Sequence, residues 1–575
     1  MPTVEEVQNM LTGPGAVFEV VTEPVNGIEM KVYKERNKSL RELSRMASLR
    51  NDNDIFIVFG EERISFPRFV ERSDIIGVNL ASLGINKGDR VAVLSANNPE
   101  WCLSFWATID IGGILVGLNG WWKADEIIYG LKHSESKILI ADRDRFRRIS
   151  NFLPELQDLN FIFVIDPEEK DLIDDRVRDF IELEKVSSNN LLALEREIDE
   201  DDAAVIFYTS GTTGRPKGAV STHRSMIANL QNTFYTVIAG SFLSPGRSLL
   251  PEGDSTQIGS LITSPLFHVT GCHSGLVVGI ASGLKLVFPA GKQEPEKILK
   301  LIQDEKISIW TGVPTMVWRV LEEAHNYSFD YSSLKSIAYG GSPSGADLQR
   351  RIKEVFPNVK SMSNGYGLTE SSSVATLNSG SDIEKYPESV GRPLPVIELK
   401  IMKPDSSEAE LFEIGEVCIK GPTIMPGYWQ DPEATAAIIK DGWLNSGDVG
   451  YVNDEGLLFI TDRAKDMIIR GGENVYSVEI ENRLVEHPLI SEAAVIGVPH
   501  AILGEQVKAI VHVESGAKLS EDEIKDWVRE TLADFKVPEF IEFRDSYLPR
   551  NPSGKILKNV LRGKGEVSFE QSELD

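Results

Sequence analysis

Tyr208-Thr209-Ser210-Gly211-Thr212-Thr213-Gly214-Arg215-Pro216-Lys217-Gly218 is the stretch that decides how this chain is read. The apolar run Ala203 to Phe207 before it reads as a buried strand. Ser221-Thr222-His223 after it is a cap for a helix-like segment through Asn232. Three glycines, four aliphatic hydroxyls and two cations make a loop that can bend around phosphate. Its backbone N–H groups and hydroxyls would donate hydrogen bonds, and Lys217 would add a mobile point charge. The spacing departs from G-x-x-x-x-G-K-[ST], because Gly218 stands where that motif has Ser or Thr. The residues therefore point to a phosphate loop of another kind. A plain surface turn would explain the Gly and Pro but not the hydroxyls.

At 575 residues the chain exceeds a single core, so at least two domains with subdomains are expected. Its 41% hydrophobic and 26% charged residues are ordinary for a soluble globular protein. A formal net charge of −27 argues against nucleic acid and anionic membranes as bulk partners. An anionic substrate would then need local positive charge, and Lys217 is a source. Cys102, Cys272 and Cys418 are too scattered for a metal site or a disulfide framework, which fits a reducing cytoplasm. Met1-Pro2-Thr3-Val4-Glu5-Glu6 carries no basic region or apolar core, so no secretory signal is expected. Trp101 to Asn119 is the most apolar stretch, but Asp110 and two glycines break it. It reads as a buried helix, Trp101 to Leu118, rather than a membrane span.

An α/β rhythm runs through the first two thirds. Arg90 to Ser95, Lys137 to Ala141 and Phe161 to Ile165 read as buried strands. The pattern returns in Leu284 to Phe288, the helix-like Pro295 to Asp304, Ser308 to Thr311 and Ser336 to Tyr339. Such alternation implies parallel sheets covered on both faces. A hairpin is expected at Asn26-Gly27. Beyond Gly391-Arg392-Pro393 short strands such as Gly415 to Lys420 suggest a small β subdomain, and another change of texture follows Asp462. The segment Ser241 to Ile258 reads as a surface excursion. The expected architecture is α/β: a lead-in over 1–45, then a large N-terminal domain over 46–462. That domain is two stacked α/β subdomains plus a small β subdomain. A hinge over 463–465 leads to a smaller mobile α+β C-terminal domain over 466–565 and a polar tail over 566–575.

Several other stretches carry chemistry. Tyr339-Gly340-Gly341-Ser342-Pro343 ends a strand in a Gly-rich turn, where open α/β sheets bind ligands. In Asn364-Gly365-Tyr366-Gly367-Leu368-Thr369-Glu370 a ring between glycines can lie flat on a purine, and the following carboxylate can hold Mg²⁺ on phosphates. Asp448, in Ser446-Gly447-Asp448, can accept from two ribose hydroxyls. Arg463 and Lys555 taken alone are ordinary solvated cations.

The ordered set resembles the signature motifs of the adenylate-forming superfamily, which includes acyl-CoA synthetases, peptide-synthetase adenylation domains and luciferases. The match covers roughly residues 50–560. The resemblance implies ATP or AMP contacts at Thr209, Ser210, Gly211, Thr212, Thr213, Gly214 and Lys217, and at Gly341, Ser342 and Pro343. It extends them to Asn364, Gly365, Tyr366, Gly367 and Thr369, and to Asp448, Arg463 and Lys555. Tyr366 would stack on adenine, Asp448 and Arg463 would hold ribose, and Glu370 would ligate magnesium. Lys555, Glu370, Lys217 and His268 are the implied catalytic set, and Lys465 is the implied hinge. His268, in Pro265-Leu266-Phe267-His268, would gate or orient the acid beside Thr311 and Gly312. A core histidine is the competing reading. Gly471, Gly472 and Glu473 would line a thiol channel after the small domain turns.

The implied reaction is ATP-dependent activation of an apolar carboxylic acid to acyl-AMP, with transfer to coenzyme A. A carrier protein or an oxygenation step as acceptor, and a non-catalytic nucleotide-binding descendant, are the alternatives. The expected partners are the small-molecule acid, ATP, Mg²⁺ and CoA, in the cytoplasm. No nucleic acid and no transmembrane span are expected, while peripheral membrane contact and a homodimer stay open.

Overall fold

The strand Ala203–Thr209 lies inside a sheet of seven strands, where its apolar residues Ala204 to Phe207 are fully covered. The computed structural model describes residues 2–186, 191–209, 215–244, 257–340, 346–471, 473–513, 519–551 and 554–563. Across that sheet the order is Lys217–Thr222, Ala203–Thr209, Ile114–Gly117, Arg90–Leu94, Ile138–Asp142, Phe161–Ile165 and Val177–Asp179. All pairings are parallel except the first, which is antiparallel. The expected phosphate loop is thus the connection of a hairpin, with Thr209 facing Lys217 in register. A strand, Lys217–Thr222, precedes the helix His223–Leu243. The Thr222 hydroxyl caps that helix by accepting from the Ser225 N–H, and the helix continues well past Asn232.

One expectation fails. Trp101 to Leu118 is not a single helix but the helix Pro99–Asp110 followed by the strand Ile114–Gly117 at the centre of the sheet. Gly112, at φ +75°, turns the chain between them. Both elements are buried on all sides, so neither shows a polar face whose period would separate helix from strand.

A second sheet of nine strands runs Arg392–Pro393, Ser373–Ser379, Ser361–Leu368, Ser336–Gly340, Ile307–Gly312, Gly259–Ile262, Lys285–Phe288, Ile55–Phe59 and Glu62–Ser65. One buried cluster joins the two sheets: Val91, Val93 and Phe207 from the first meet Ile57, Leu286 and Phe288 from the second, with Trp101, Phe105 and Trp106 between. Dense aromatic packing of this kind makes the sheets a single rigid frame. The strands Glu398–Met402, Gly415–Lys420, Trp443–Val452, Leu458–Arg463 and Ile439–Lys440 form an antiparallel β unit. After residue 467 a fifth sheet with its own core, including Ile480, Val495, Val507, Val511 and Ile524, builds a small α+β unit. The lead-in contains the expected hairpin, Val20–Val25 with Ile28–Tyr33, turned by Asn26 and Gly27 at positive φ. Of the Ser241 to Ile258 excursion, residues 245–256 lie outside the described residues.

Asn97, just past the strand Arg90–Leu94, ties the first sheet to the loop following Gly259–Ile262. Its Nδ2 donates to the Ser264 carbonyl (2.9 Å) and its Oδ1 accepts from the Leu266 N–H (2.8 Å). Asn97→Ala leaves both backbone groups unpaired and should cost about 1–3 kcal/mol. The expected result is a lower thermal midpoint, with Asn97→Asp falling between because it keeps the bond from Leu266. A midpoint equal to that of the unaltered protein would remove this bridge from the frame.

Candidate active site

The C-terminal ends of the parallel strands in both sheets open into one cleft of about 1550 Å³, which continues between the β unit and the small α+β unit. Open α/β sheets bind ligands at this edge. The strand Ser361–Leu368 forms its floor: Asn364, Gly365, Tyr366 and Gly367 all line the cleft. A glycine is required at 367, where a Cβ would lie 1.6 Å from the Ser373 carbonyl oxygen. The returning strand Ser373–Ser379 therefore approaches closer than any side chain permits.

Around Tyr366, in the C-terminal half of this strand, sits a charged cluster. Asp448, 4% exposed, accepts from the Tyr366 phenol at Oδ2 (2.8 Å) and pairs with Arg463 Nε at Oδ1 (3.0 Å). Asp448 and Arg463 face each other across adjacent antiparallel strands, which places the pair by register alone. Burial, reinforced by the Asp448 charge, pushes the Tyr366 phenol well above its usual pKa, so it remains a donor.

Lys555 arrives in the same cluster from the far end of the chain. Its N–H donates to Asn551 Oδ1 and its carbonyl accepts from the Asn551 N–H (both 2.8 Å). The loop rests against the large unit, where a Cβ on Gly554 would be 2.5 Å from Thr315 Oγ1 and 3.1 Å from Val313 Cγ2. Loss of water pulls the Lys555 ammonium down to about 7; the Arg463 charge pulls the same way and Asp448 opposes it. Lys465 lies in the turn after the strand Leu458–Arg463, beside Arg463, Asp466 and Arg562. Desolvation lowers its pKa as well.

Directly after the floor strand, the single turn Thr369–Ser371 carries Glu370. Glu370 Oε1 accepts from the Tyr428 phenol (2.7 Å), and the Glu370 carbonyl accepts from the Met425 N–H (2.9 Å). Lys217 Nζ lies 5.2 Å from the centre of the Tyr428 ring. The turn is held in a strained form, with the consecutive residues Ser372 (φ +51°) and Ser373 (φ +107°) both left-handed. Ser372 Oγ donates to Ser225 Oγ (3.0 Å) and Ser221 Oγ (3.2 Å), and the Ser274 and Ser373 hydroxyls bond at 2.7 Å.

The structure thus gathers Tyr366, Asp448 and Arg463 into one contact group with the charges of Lys465 and Lys555 beside it, and Glu370 and Lys217 into a second around Tyr428. Asn364, Gly365 and Gly367 lie on the floor strand, and Thr369 opens the Glu370 turn. Thr209 stands at the mouth of the hairpin, its hydroxyl donating to the Lys217 carbonyl (3.4 Å). Ser210 to Gly214, Gly341 to Pro343 and Gly472 lie outside the described residues. Gly471 and Glu473 are exposed and away from the cleft lining in this arrangement. His268, Thr311 and Gly312 are not part of the lining, which in this region is Thr263, Pro265, Phe267, Val313, Pro314 and Thr315; His268 and Thr311 are half-buried. Burial lowers the His268 imidazole to about 4, so it is neutral at neutral pH, and its Nε2 is buried without a partner. Thr311 contributes its carbonyl, which accepts from the Thr263 hydroxyl (3.3 Å).

Sequence reasoning missed Tyr428. The Pro426-Gly427-Tyr428-Trp429 run was the available signal, yet nothing in its spacing pairs it with Glu370, 58 residues upstream.

Comparison with known proteins agrees with this geometry. The AMP-binding enzyme family matches residues 45–429, and the AMP-binding enzyme C-terminal domain matches residues 479–555. A long-chain-fatty-acid–CoA ligase of Bacillus subtilis (strain 168) is 32% identical over 547 residues, covering 91% of this chain and 94% of that protein. The solved structure of o-succinylbenzoate CoA synthetase from Bacillus subtilis, in complex with its acyl-adenylate intermediate, superimposes with a TM-score of 0.74. It is 28% identical, over 92% of this chain and all of that one. An amide bond synthetase from Marinactinospora thermotolerans gives a TM-score of 0.77 at 26% identity, over 91% and 99% of the two chains. With both parts matched in order and nearly the full length aligned, this chain belongs to the AMP-binding enzyme family.

Proposed function

We propose that this protein is an AMP-forming acyl-CoA synthetase that activates an apolar carboxylic acid, medium-to-long or bulky, with ATP and passes the acyl group to coenzyme A. The observation that carries this reading is the gathering of Lys555 with Asp448 and Arg463 beside Tyr366 of the floor strand, brought by a loop seated on Val313 to Thr315. A fatty-acid ligase and an aromatic-acid CoA synthetase among the relatives support the class of reaction.

In this mechanism the acid carboxylate attacks the α-phosphorus of ATP, and the bond to pyrophosphate breaks. Negative charge gathers in the transition state, and preorganised positive groups compensate it. Lys555 supplies charge at the carboxylate and α-phosphate, and Lys217 at the outer phosphates. Tyr366 stacks on adenine while Asp448 and Arg463 hold ribose. Among the described residues no cluster of three or more His, Cys, Asp or Glu could cage a metal, and Glu370 keeps Oε2 free of protein partners. That donor set fits Mg²⁺, which is commonly held by one or two carboxylates plus substrate phosphates. When bound it neutralises phosphate charge. After adenylation the unit beyond the hinge at 463–465 turns, Lys555 withdraws, and the Gly471 to Glu473 loop lines the path of the thiol. The thiol sulfur then attacks the acyl carbonyl and AMP leaves. Pro265, Phe267, Val313, Pro314 and Met316 on the cleft wall favour an apolar acid. Among the described residues no helix is long and apolar enough to cross a membrane. We place the enzyme in the cytoplasm on its charge and cysteine usage.

A panel of acetate, medium and long fatty acids and aryl acids, scored separately for pyrophosphate and thioester, tests the reaction. Apolar acids should give both products, and activity highest on acetate would overturn the substrate class. Pyrophosphate without thioester would point to another acceptor.

Lys555→Ala should slow acyl-AMP formation by about 10²-fold or more, the scale of one lost transition-state charge contact. Thioester formation from supplied acyl adenylate should stay near normal. Equal slowing of both steps would make Lys555 a structural residue.

The lowered pKa of Lys555 predicts a pH signature in the free enzyme. The useful cation is lost as pH rises through about 7, so kcat/KM for ATP in adenylation should fall there, and Lys555→Arg should remove the limb. Stability runs the other way. An unfolded lysine holds its proton to about pH 10, so the folded state binds fewer protons between about 7 and 10 and gains stability with pH.

A further inference from the structure

We propose that Tyr428 is a positioning residue that holds Glu370 and Lys217 apart and aims both at the polyphosphate of the bound nucleotide. This rests on the reading above that ATP occupies the cleft. The residue joins the two groups at opposite ends of one rigid side chain: its hydroxyl donates to Glu370 Oε1 at 2.7 Å, and its ring face carries Lys217 Nζ at 5.2 Å.

The backbone around it is stitched to both clients. Trp429 N–H donates to the Gly218 carbonyl (2.7 Å) and Val220 N–H to the Gly427 carbonyl (3.2 Å), while Ala219 and Tyr428 form a bridge pair. Met425 N–H donates to the Glu370 carbonyl (2.9 Å). Tyr428 N–H is itself held by the Thr435 hydroxyl (2.9 Å). The strap Met425 to Trp429 therefore fixes the exit of the phosphate hairpin relative to the Glu370 turn.

Charge explains why a tyrosine suits this place. Lys217 and Glu370 have opposite signs and share one neighbour, yet neither forms a salt bridge among the described residues. A direct ion pair would neutralise both before any nucleotide arrived. A ring face attracts an ammonium by only about 0.5–1 kcal/mol at a partly exposed site, so Lys217 keeps its charge for phosphate. A phenol occupies one carboxylate oxygen, leaves Oε2 available, and removes the rotamer freedom of a long side chain before binding.

Two variants separate these roles. Tyr428→Phe keeps the ring under Lys217 and removes the hydroxyl; Tyr428→Leu removes both. Calorimetric titration with ATP, in EDTA and in excess Mg²⁺, reads metal-assisted binding without any turnover. For Tyr428→Phe, affinity in EDTA should match the unaltered protein, while the gain from Mg²⁺ should fall about tenfold or more, the scale of one lost charge-assisted hydrogen bond. The Mg²⁺ concentration for half-maximal acid-dependent pyrophosphate release should rise similarly, and thioester formation from supplied acyl adenylate should not change. Tyr428→Leu should also lose affinity in EDTA, because Lys217 is then free to pair with Glu370. An unchanged or larger Mg²⁺ gain in Tyr428→Phe would overturn the proposal, the larger gain meaning that the phenol competes with the metal. Equal losses in EDTA and Mg²⁺ would overturn it too, as a general structural defect. If the unaltered protein binds ATP with Mg²⁺ yet releases no pyrophosphate with any acid, the proposed reaction fails while the calorimetric comparison still judges Tyr428.

Discussion

A buried carboxylate must find donors, and the way Asp448 finds them organises the site. Leaving such a charge uncompensated costs several kcal/mol. Its two partners come from two other strands: Tyr366 from the floor of the nine-stranded sheet and Arg463 from the last strand before the hinge. The contact therefore locks the β unit against the frame at the point where the chain leaves for the small α+β unit. Lys555 completes the group from that unit. Arg463, Lys465 and Lys555 are gathered near Asp448 and Asp466, and Asp466 is taken up by Arg562 (2.8 Å). A chain of net charge −27 thus concentrates positive charge where an anion is to be handled.

The Glu370 end uses a different device. Two successive serines in the left-handed region store strain, about 1–3 kcal/mol each. Hydroxyls from the strand Lys217–Thr222, the helix His223–Leu243 and the segment around Ser274 hold that turn in place. The same strand opens at Lys217, so the turn with Glu370 and the exit of the phosphate hairpin are referenced to one another twice, through Ser221 and through Tyr428. Geometry of this kind supplies preorganised charge without reorganisation during the reaction.

The frame beneath makes such placement credible. Both sheets share the core around Trp101, Phe105, Trp106 and Phe207, so their strand ends cannot shift independently. The small α+β unit is tied more lightly. Between the two units, Asp462 accepts from the Ser477 N–H (2.5 Å) and hydroxyl (2.8 Å), and Lys558 donates to that same hydroxyl (2.6 Å) and pairs with Glu481 (2.7 Å). Among the described residues, polar contacts such as these tie the two units, while each keeps a hydrophobic cluster of its own.

By itself the sequence determined the alternation of strands and helices, the order of the motifs and therefore the family, because those depend on local periodicity and on short runs of chemically distinctive residues. The strand Phe161–Ile165, the helix Pro295–Asp304 and the strand Gly415–Lys420 were legible to the residue. That Tyr366, Asp448, Arg463 and Lys555 lie together was implied by the resemblance of the ordered motifs and not by any of these residues taken alone. Trp101 to Leu118 was misread because a segment buried on every face has no period to betray where helix ends and strand begins. Only the tertiary structure decided that Ala203–Thr209 pairs antiparallel with Lys217–Thr222, that His268 is not part of the cleft lining, and that Tyr428 joins Glu370 to Lys217. Those facts depend on which distant backbones come to lie side by side, and that is set by the packing of whole sheets rather than by any stretch of neighbouring residues.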